Sequence, residues 1–257
     1  MTRVGVITQA RTTSTRLPGK ILLPAGGRSL LEHHVDRLAA GGLAVYLATT
    51  ANTADDPVAE LADQRGWPCF RGDEYDVLGR FAACAAAFDL DLVVRATSDC
   101  PLIDGALVAG GVDRFVSRDD PWLYLSNTVR RTYPRGFDFE VFSAQALAAA
   151  AELATEPWQR EHVTPYLWSG ADPRVTVEQV VRGADASAYR LTVDTAADYR
   201  LLRRLIEDHG AAGLDAEAII ALLDRHPELA AINAAVAQKP VHQVAAPAAG
   251  RPAERPG

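Results

Sequence analysis

The sequence predicts a single α/β domain, a three-layer sandwich in which helices cover both faces of a mostly parallel sheet. The first observation behind this prediction is that short apolar segments alternate with helical patterns and are joined by short links. The second is the length of 257 residues, of which 48% are hydrophobic. A chain of this length and composition can bury one sizeable core.

Three strands are predicted in the first hundred residues, because each segment is a short apolar run with β-branched residues. They span residues 3–8, 43–49 and 91–96. The second half is less regular, since polar stretches separate its apolar runs, and we expect a mixed sheet there. Further strands are predicted at residues 122–125, 137–142, 174–181 and 189–193.

Helical patterns lie between these strands. The first begins at Ser29, a favourable N-cap residue, and ends at Gly41 and Gly42. A second pattern has Pro57 near its first turn, where proline is tolerated. The helices are predicted at residues 29–41, 55–65, 74–88, from about 104 onwards, 196–209 and 215–225.

The domain is expected to cover residues 1–236. Residues 237–257 are rich in Ala, Pro, Gly and Arg and have almost nothing to bury. A segment of that composition does not gain enough from burial to offset the entropy of ordering it. We therefore expect it to be disordered.

The charge and the cysteines restrict the class of protein. The formal net charge is −7, which argues against nucleic acid or an anionic membrane as the main partner, because clustered Lys and Arg bind both. No stretch approaches the roughly 20 apolar residues of a membrane span, and the first apolar run is too short for a secretory signal. The three cysteines form no CxxC pair, as is typical of proteins in a reducing compartment. We expect a soluble cytoplasmic protein.

The segment at residues 9–20, QARTTSTRLPGK, directly follows the first predicted strand. In doubly wound sheets, ligands bind beyond the carboxyl ends of the strands. The segment carries the cations Arg11, Arg16 and Lys20 and four hydroxyl side chains, and it has no carboxylate. These groups suit a triphosphate, although a solvated basic surface loop has a similar composition. The spacing differs from that of a Walker A loop.

Together with this loop, seven further stretches carry a resemblance to one family, in order, over roughly residues 4–205. They resemble the cytidylyltransferase family that includes CMP-acylneuraminate synthetases, CMP-Kdo synthetases and the SpsF-type spore-coat polysaccharide proteins. The resemblance implies a nucleotide-diphospho-sugar transferase fold, which is GT-A-like. The stretches are SLLEHHVDRL, DDPVAELA, FRGDEYDVLGRF, RATSDCPLID, YLSNTVRRTYPRGFDFEVF, WQREHVTPYLW and LTVDTAADY.

The family implies a nucleotidyltransferase that joins the CMP of CTP to a sugar or sugar-like acid and releases pyrophosphate. Such activated sugars serve polysaccharide, glycan or natural-product biosynthesis. An insert at about residues 124–181 would complete the acceptor site and carry a homodimer contact. Two alternatives remain open at this point. One is a glycosyltransferase of the same fold class that uses a sugar nucleotide, and the other is a nucleotide-binding protein that has lost catalysis.

In the segment at residues 9–20, which we call the phosphate loop, the resemblance implies that Arg11, Arg16 and Lys20 act with Asp99 in catalysis. Preplaced cations stabilise the charge that builds on departing pyrophosphate. The implied nucleotide contacts are Gln9, Ala10, Arg11, Ser14, Arg16, Lys20 and Thr97.

The loop departs from the family pattern at one point. Family members often carry Met-Gly where this chain has Thr12 and Thr13. Glycine allows a positive φ, which a β-branched threonine resists. Either the loop keeps negative φ angles in this chain or it binds triphosphate differently.

Two aspartates at predicted strand ends are candidates for a metal site. Asp99 follows the third strand, and Asp194 ends the last short strand. Two carboxylates that come together need a cation between them, and Mg²⁺ is held by one or two carboxylates plus phosphate oxygens and waters. Taken alone, Asp99 also suits a turn before Pro101, and Asp194 suits a helix N-cap. The resemblance implies that both aspartates bind Mg²⁺.

The resemblance also implies an acceptor pocket in the insert. Asp138 and Glu140 share a strand face, where they would bond sugar hydroxyls or simply face water. Arg160 would bind a carboxylate bidentately, and His162 is either a general base or structural. The implied acceptor contacts are Asn127, Arg135, Asp138, Glu140, Arg160, Glu161, His162 and Tyr166.

Overall fold

The computed structural model describes residues 2–238. Its strands are β1 (Val4–Gln9), β2 (Pro24–Ala25), β3 (Arg28–Ser29), β4 (Val45–Thr50), β5 (Cys69–Gly72), β6 (Leu92–Thr97), β7 (Leu123–Ser126), β8 (Glu140–Ser143) and β9 (Thr176–Gln179). Its helices are α1 (Leu30–Ala40), α2 (Asp56–Arg65), α3 (Val77–Ala87), α4 (Gly105–Val116), α5 (Ala144–Leu153), α6 (Pro157–His162), α7 (Pro165–Trp168), α8 (Ala196–His209), α9 (Ala216–Arg225) and α10 (Pro227–Ala230).

Seven of the strands form one sheet in the order β5-β4-β1-β6-β8-β7-β9. β1 pairs in parallel with β4 and β6, and β7 pairs in parallel with β9. Among the described strands of this sheet, β8 alone runs antiparallel to its neighbours β6 and β7, and β2 and β3 form a separate antiparallel pair. The mostly parallel sheet is therefore confirmed. The carboxyl ends of β1 and β6 lie side by side at one edge of it.

Helices pack against both faces of this sheet, which confirms the three-layer sandwich. Successive side chains of a strand point to opposite faces. Accordingly Val6 of β1 packs with Leu31 of α1 and Phe115 of α4, while Ile7 packs with Phe81 of α3. A third apolar cluster, in which α8 and α9 take part, lies beside the sheet.

The predicted helices are confirmed, with boundaries shifted by a few residues. Ser29 and Glu32 form a capping box at the start of α1, and Asp104 accepts two backbone hydrogen bonds at the start of α4. The sequence pattern missed α5, an Ala-rich helix. α6 and α7 are separate helices, because Val163 between them has a φ of 71°.

The predicted strand at residues 189–193 is wrong. Only Arg190 there forms a β-bridge, with Arg135. The reason is that the segment bonds two separate partners: Leu191 N–H donates to the Arg135 carbonyl at 2.6 Å, and Val193 N–H donates to the Asp99 carbonyl at 2.8 Å. It therefore joins no continuous ladder, and it ties the residues before Asp194 to the loop after β6.

Among residues 2–238, no helix is long and apolar enough to cross a membrane. Residues 239–257, most of the tail predicted to be disordered, lie outside the described residues. The domain boundary at residue 236 stays a prediction.

Candidate active site

The loop that follows β1 is closed by its own backbone. The Thr12 carbonyl accepts hydrogen bonds from Ser14 N–H at 2.8 Å and from Gly19 N–H at 2.9 Å. Gly19 has a φ of 64°, a conformation that glycine adopts without strain, and it leads into a short 3₁₀ helix that begins at Lys20. The Leu17-Pro18-Gly19 turn thus fixes the position of Lys20.

Thr12 anchors this loop to the neighbouring segment. Its N–H donates to the Asp55 carboxylate at 2.6 Å, and its hydroxyl lies 2.8 Å from the same oxygen. Asp55 is fully buried and also accepts from Thr50. Neither Thr12 nor Thr13 has a positive φ. The departure from Met-Gly therefore leaves the loop at negative φ angles and gives it a side-chain anchor.

Asp99 and Asp194 meet at one ammonium group. The Lys20 Nζ lies 2.9 Å from Asp99 Oδ2 and 2.7 Å from Asp194 Oδ1. Arg16 contributes a further ion pair to Asp194 at 3.0 Å. The phosphate loop and these two carboxylates, separated by up to 174 residues in the sequence, form one charged cluster.

The cluster shifts the pKa values of its members in opposite directions. Burial alone would raise the pKa of Asp99, but the Lys20 charge and hydrogen bonds from Lys20 and Thr97 lower it to about 2. Burial alone would lower the pKa of Lys20, but Asp99 and Asp194 raise it. Both groups are therefore ionised near neutral pH.

Buried side chains also bond Asp194 at the carboxylate oxygen that does not contact Lys20. Arg190, which is 8% exposed, donates to Asp194 Oδ2 at 2.6 Å and to Asp198 Oδ1 at 2.9 Å. Asp198 in turn accepts from the Asp194 N–H at 3.1 Å and caps α8 through Thr195. The predicted N-cap role of Asp194 is thus taken by Thr195.

The donor set of this cluster fits a divalent cation held jointly with phosphate. Asp99 Oδ2 and Asp194 Oδ1, two hard carboxylate oxygens, both lie within 2.9 Å of the Lys20 ammonium. A Mg²⁺ ion held by one or two carboxylates takes its remaining ligands from phosphate and water. The described residues contain no group of three or more His, Cys, Asp and Glu that would hold a metal by protein ligands alone. A metal here depends on oxygens that a bound phosphate supplies.

The other nucleotide contacts implied by the sequence lie at the ends of β1 and β6 or in the loop after β1. Arg11 is exposed and lies near Arg80, whose pKa is lowered by burial and by the Arg11 charge. Two such guanidinium groups attract an anion. Gln9 accepts a long 3.4 Å bond from Arg95, and Ser14 accepts from the Leu17 N–H at 3.5 Å. Ala10 is buried below the loop, and Thr97 lines the adjacent pocket.

A pocket of about 440 Å³ opens beside the charged cluster. It collects four of the predicted acceptor residues and Thr97. It also brings in several residues that the sequence did not single out. The lining side chains are Arg95, Thr97, Thr128, Val129, Arg131, Arg135, Asp138, Glu140, His162, Pro165, Trp168 and Gln238.

The two acids of this pocket already have partners. Asp138 is paired with both terminal nitrogens, Nη1 and Nη2, of the Arg131 guanidinium. Glu140 is paired with Arg95 and accepts from Tyr124 Oη at 2.6 Å. An arginine inside an apolar strand, as Arg95 is in β6, was the sequence signal for this buried pair.

Four predicted acceptor residues lie outside this pocket, and three of them have structural roles. Asn127 donates to the Phe137 carbonyl at 2.7 Å and accepts from the Phe139 N–H at 3.0 Å. Arg160 donates to two carbonyls at the end of α5 and to Asp76 at 2.5 Å. Tyr166 is buried in the apolar core, and Glu161 is partly exposed and does not line the pocket. Acceptor contact by these four residues stays a prediction.

Comparisons with known proteins agree with this geometry. A family model described as Cytidylyltransferase matches residues 5–219. The spore coat polysaccharide biosynthesis protein SpsF of Bacillus subtilis is 32% identical over 233 residues, which are 87% of this chain and 95% of that protein. A 3-deoxy-manno-octulosonate cytidylyltransferase of Solibacter usitatus is 34% identical over 120 residues, 46% of each chain.

A solved structure extends the agreement to the whole fold. The structure of a cytidylyltransferase from Leptospira borgpetersenii is 33% identical and superimposes with a TM-score of 0.85, covering 90% of this chain and 97% of that one. The predicted family and fold are confirmed, and nucleotidyl transfer is favoured over both alternatives that the sequence left open. The chain belongs to the cytidylyltransferase family and is a nucleotidyltransferase.

Proposed function

We propose that the protein transfers CMP from CTP to an acidic sugar, with release of pyrophosphate. The observation that carries this proposal is the single cluster in which Lys20 of the phosphate loop contacts both Asp99 and Asp194. Such a cluster offers cations to the leaving phosphates and carboxylates to a metal at the same point. That combination is what in-line attack on the α-phosphorus requires.

The phosphate loop binds and orients the triphosphate. Arg11, Arg16 and Lys20 neutralise the β- and γ-phosphates, and they stabilise the charge on pyrophosphate as its bond to the α-phosphorus breaks. Asp99 and Asp194 are the residues that would hold Mg²⁺, together with oxygens of the bound phosphates. When bound, Mg²⁺ supplies charge neutralisation at the α-phosphate.

The pocket beside this cluster orients the acceptor. Arg131 and Arg95 are paired with carboxylates there, whereas Arg135 has no acidic hydrogen-bond partner within the described part of the chain. We assign Arg135 to a carboxylate of the acceptor, which a guanidinium binds bidentately. An acceptor hydroxyl then attacks the α-phosphorus, and His162 is the candidate to accept its proton. The relative that acts on 3-deoxy-manno-octulosonate supports a sugar acid of that kind.

We further propose that the protein works as a homodimer in the cytoplasm. Exposed apolar side chains lie in the insert, namely Val129, Leu153, Val177 and Val181. Val177 belongs to β9, which lies at one edge of the sheet and leaves backbone groups for pairing. The three cysteines are free thiols, as expected in a reducing compartment.

Thermal unfolding with Mg²⁺ and each of CTP, UTP, GTP and ATP tests nucleotide choice. A ligand at 100 times its dissociation constant adds about 2.7 kcal/mol to the free energy of unfolding. We expect the largest rise in Tm with CTP, its loss in Arg16→Met and its retention in Arg28→Met, an exposed control. Equal shifts with all four nucleotides would contradict cytosine selection. Pyrophosphate release with a panel of sugar acids, starting from 3-deoxy-manno-octulosonate, then tests the acceptor class.

A further inference from the structure

The C-terminal part of the described chain reaches the candidate active site. Gln238 lines the acceptor pocket together with Arg135 and His162. It also lines a second cavity of about 360 Å³, of which Arg190 is a lining residue. The family model ends at residue 219, so Gln238 belongs to a segment that this model does not cover.

Gln238 is bonded to the residue that supports Asp194. The Arg190 Nη1 donates to the Gln238 Oε1 at 2.5 Å. The other two nitrogens of the same guanidinium donate to Asp194 at 2.6 Å and to Asp198 at 2.9 Å. Three acceptors therefore fix the planar group of a residue that is 8% exposed, and removing one leaves an N–H of this charged group without its protein acceptor.

A second residue of the C-terminal segment secures the same arginine. Asn233, which is 4% exposed, donates to the Arg190 carbonyl at 3.0 Å and to Asp198 Oδ1 at 2.8 Å. The backbone and the side chain of Arg190 are thus both held by residues beyond the family model. Because both Asn233 and Gln238 bond Arg190, this segment is fixed to the protein at the residue that contacts Asp194.

We propose that the segment at residues 233–238 is part of the catalytic machinery, with Gln238 as a positioning residue that sets Asp194 through Arg190. This inference rests on the proposed function, in which Asp194 holds the metal. Residues that orient a metal ligand act on metal affinity although they never touch the ion. Because Gln238 also lines the acceptor pocket, the segment connects acceptor binding to the metal carboxylate.

Binding of Mn²⁺ in the presence of CTP, followed by electron paramagnetic resonance on the full chain, tests this role. We expect Gln238→Ala to weaken Mn²⁺ binding about tenfold. Gln238→Glu keeps an oxygen acceptor for Arg190 and is expected to stay within about twofold of the unaltered protein. Gln64→Ala, on the exposed face of α2, is the matched control and is expected to have no effect.

The outcomes separate the inference from the proposed function. Weak binding in Gln238→Ala alone, with an unchanged Tm, supports the positioning role. Unaltered binding in Gln238→Ala overturns it, and so does equal loss in the Ala and Glu variants, because the oxygen acceptor would then not be what matters. If the unaltered protein binds no Mn²⁺ with CTP, the proposed function itself fails and the positioning role fails with it.

Discussion

The two ends of the active-site cleft use their charged side chains differently. At the phosphate end, the cations Arg16 and Lys20 share the carboxylates Asp99 and Asp194. At the acceptor end, each carboxylate has its own arginine, as in the pair of Glu140 with Arg95. Shared contacts are easily exchanged for a ligand's phosphates, whereas a dedicated buried pair is costly to break. We infer that the ion pairs of the phosphate end rearrange when the nucleotide binds and that those of the acceptor end keep their arrangement.

The largest expected effect comes from removing a carboxylate at the phosphate end. Asp99→Asn keeps the shape of the side chain and removes its charge, and under the proposed mechanism this takes away one of the two carboxylates that would hold the metal. We expect kcat to fall on the order of 10³. Pyrophosphate release at saturating CTP, with the best acceptor of the sugar-acid panel, measures the loss. Asp89→Asn, at an exposed surface pair with Arg3, is the matched control. A kcat near that of the control would remove Asp99 from the mechanism.

The phosphate end was also the part of the site that the sequence described best. A loop after a buried strand that has three cations and no carboxylate cannot satisfy its charges locally, so it needs partners from elsewhere. The pattern therefore pointed to Arg11, Arg16 and Lys20 before any fold was known. Asp99 follows β6, and the parallel pairing of β1 with β6 brings it to the loop after β1. Asp194 follows no strand, and the backbone bond of Val193 to the Asp99 carbonyl places it there instead.

The acceptor end could be predicted only in part, for a physical reason. A polar side chain in the middle of the chain has two possible uses, and local sequence does not tell a ligand contact from a bond to distant backbone. Asn127 bonds the main chain of Phe137 and Phe139, and Arg160 bonds carbonyls at the end of α5. Gln238 showed no sequence signal, since its role depends on where the chain comes to lie after α10.

Breaking the dedicated pair at the acceptor end is expected to reduce stability. Glu140→Gln leaves the Arg95 guanidinium buried without its counter-charge, which costs about 3 kcal/mol in comparable buried pairs. The midpoint of urea denaturation measures this cost, with the exposed Glu152→Gln as the control. CTP affinity of the folded fraction is expected to stay unchanged, since Glu140 does not belong to the phosphate cluster. A drop in CTP affinity without a loss of stability would reverse the contrast between the two ends.

Low pH is expected to reduce the stability of the protein through His34, which bonds the backbone next to Asp99. His34 is fully buried, with Nε2 2.8 Å from Thr8 Oγ1 and Nδ1 2.9 Å from the Cys100 carbonyl. Burial lowers the pKa of His34 to about 4 from an ordinary 6.5, against the opposing influence of the Cys100 carbonyl and Asp99. Between these values the unfolded chain binds a proton that the folded protein does not. Stability is therefore complete above pH 6.5 and is lost as the pH falls towards 4, by roughly 3 kcal/mol.

Two measurements check this pH dependence. The imidazole signals of His34 in NMR are expected to stay those of the neutral ring down to about pH 4. Urea unfolding between pH 7 and pH 4 is expected to have a smaller slope with pH in His34→Gln, while His226→Gln, at a partly exposed site, keeps the slope of the unaltered protein. An imidazole that titrates near 6.5 in the folded protein would show that His34 is open to water.

The smallest effect concerns the anchor of the phosphate loop. Thr12→Val removes the hydroxyl that bonds Asp55 at 2.8 Å and the Ala54 carbonyl at 2.8 Å, but it retains the backbone bond and the β-branched shape. We expect a loss of about 1 kcal/mol in stability and a rise of a few-fold in the KM for CTP, because the loop becomes looser without losing a cation. Thr53→Val, at an exposed position of the neighbouring turn, is the control. If the KM for CTP stays constant while stability falls, Thr12 contributes to stability alone. If both change together, the threonine that replaces the family's usual residue also presents Arg11 and Arg16 to the phosphates.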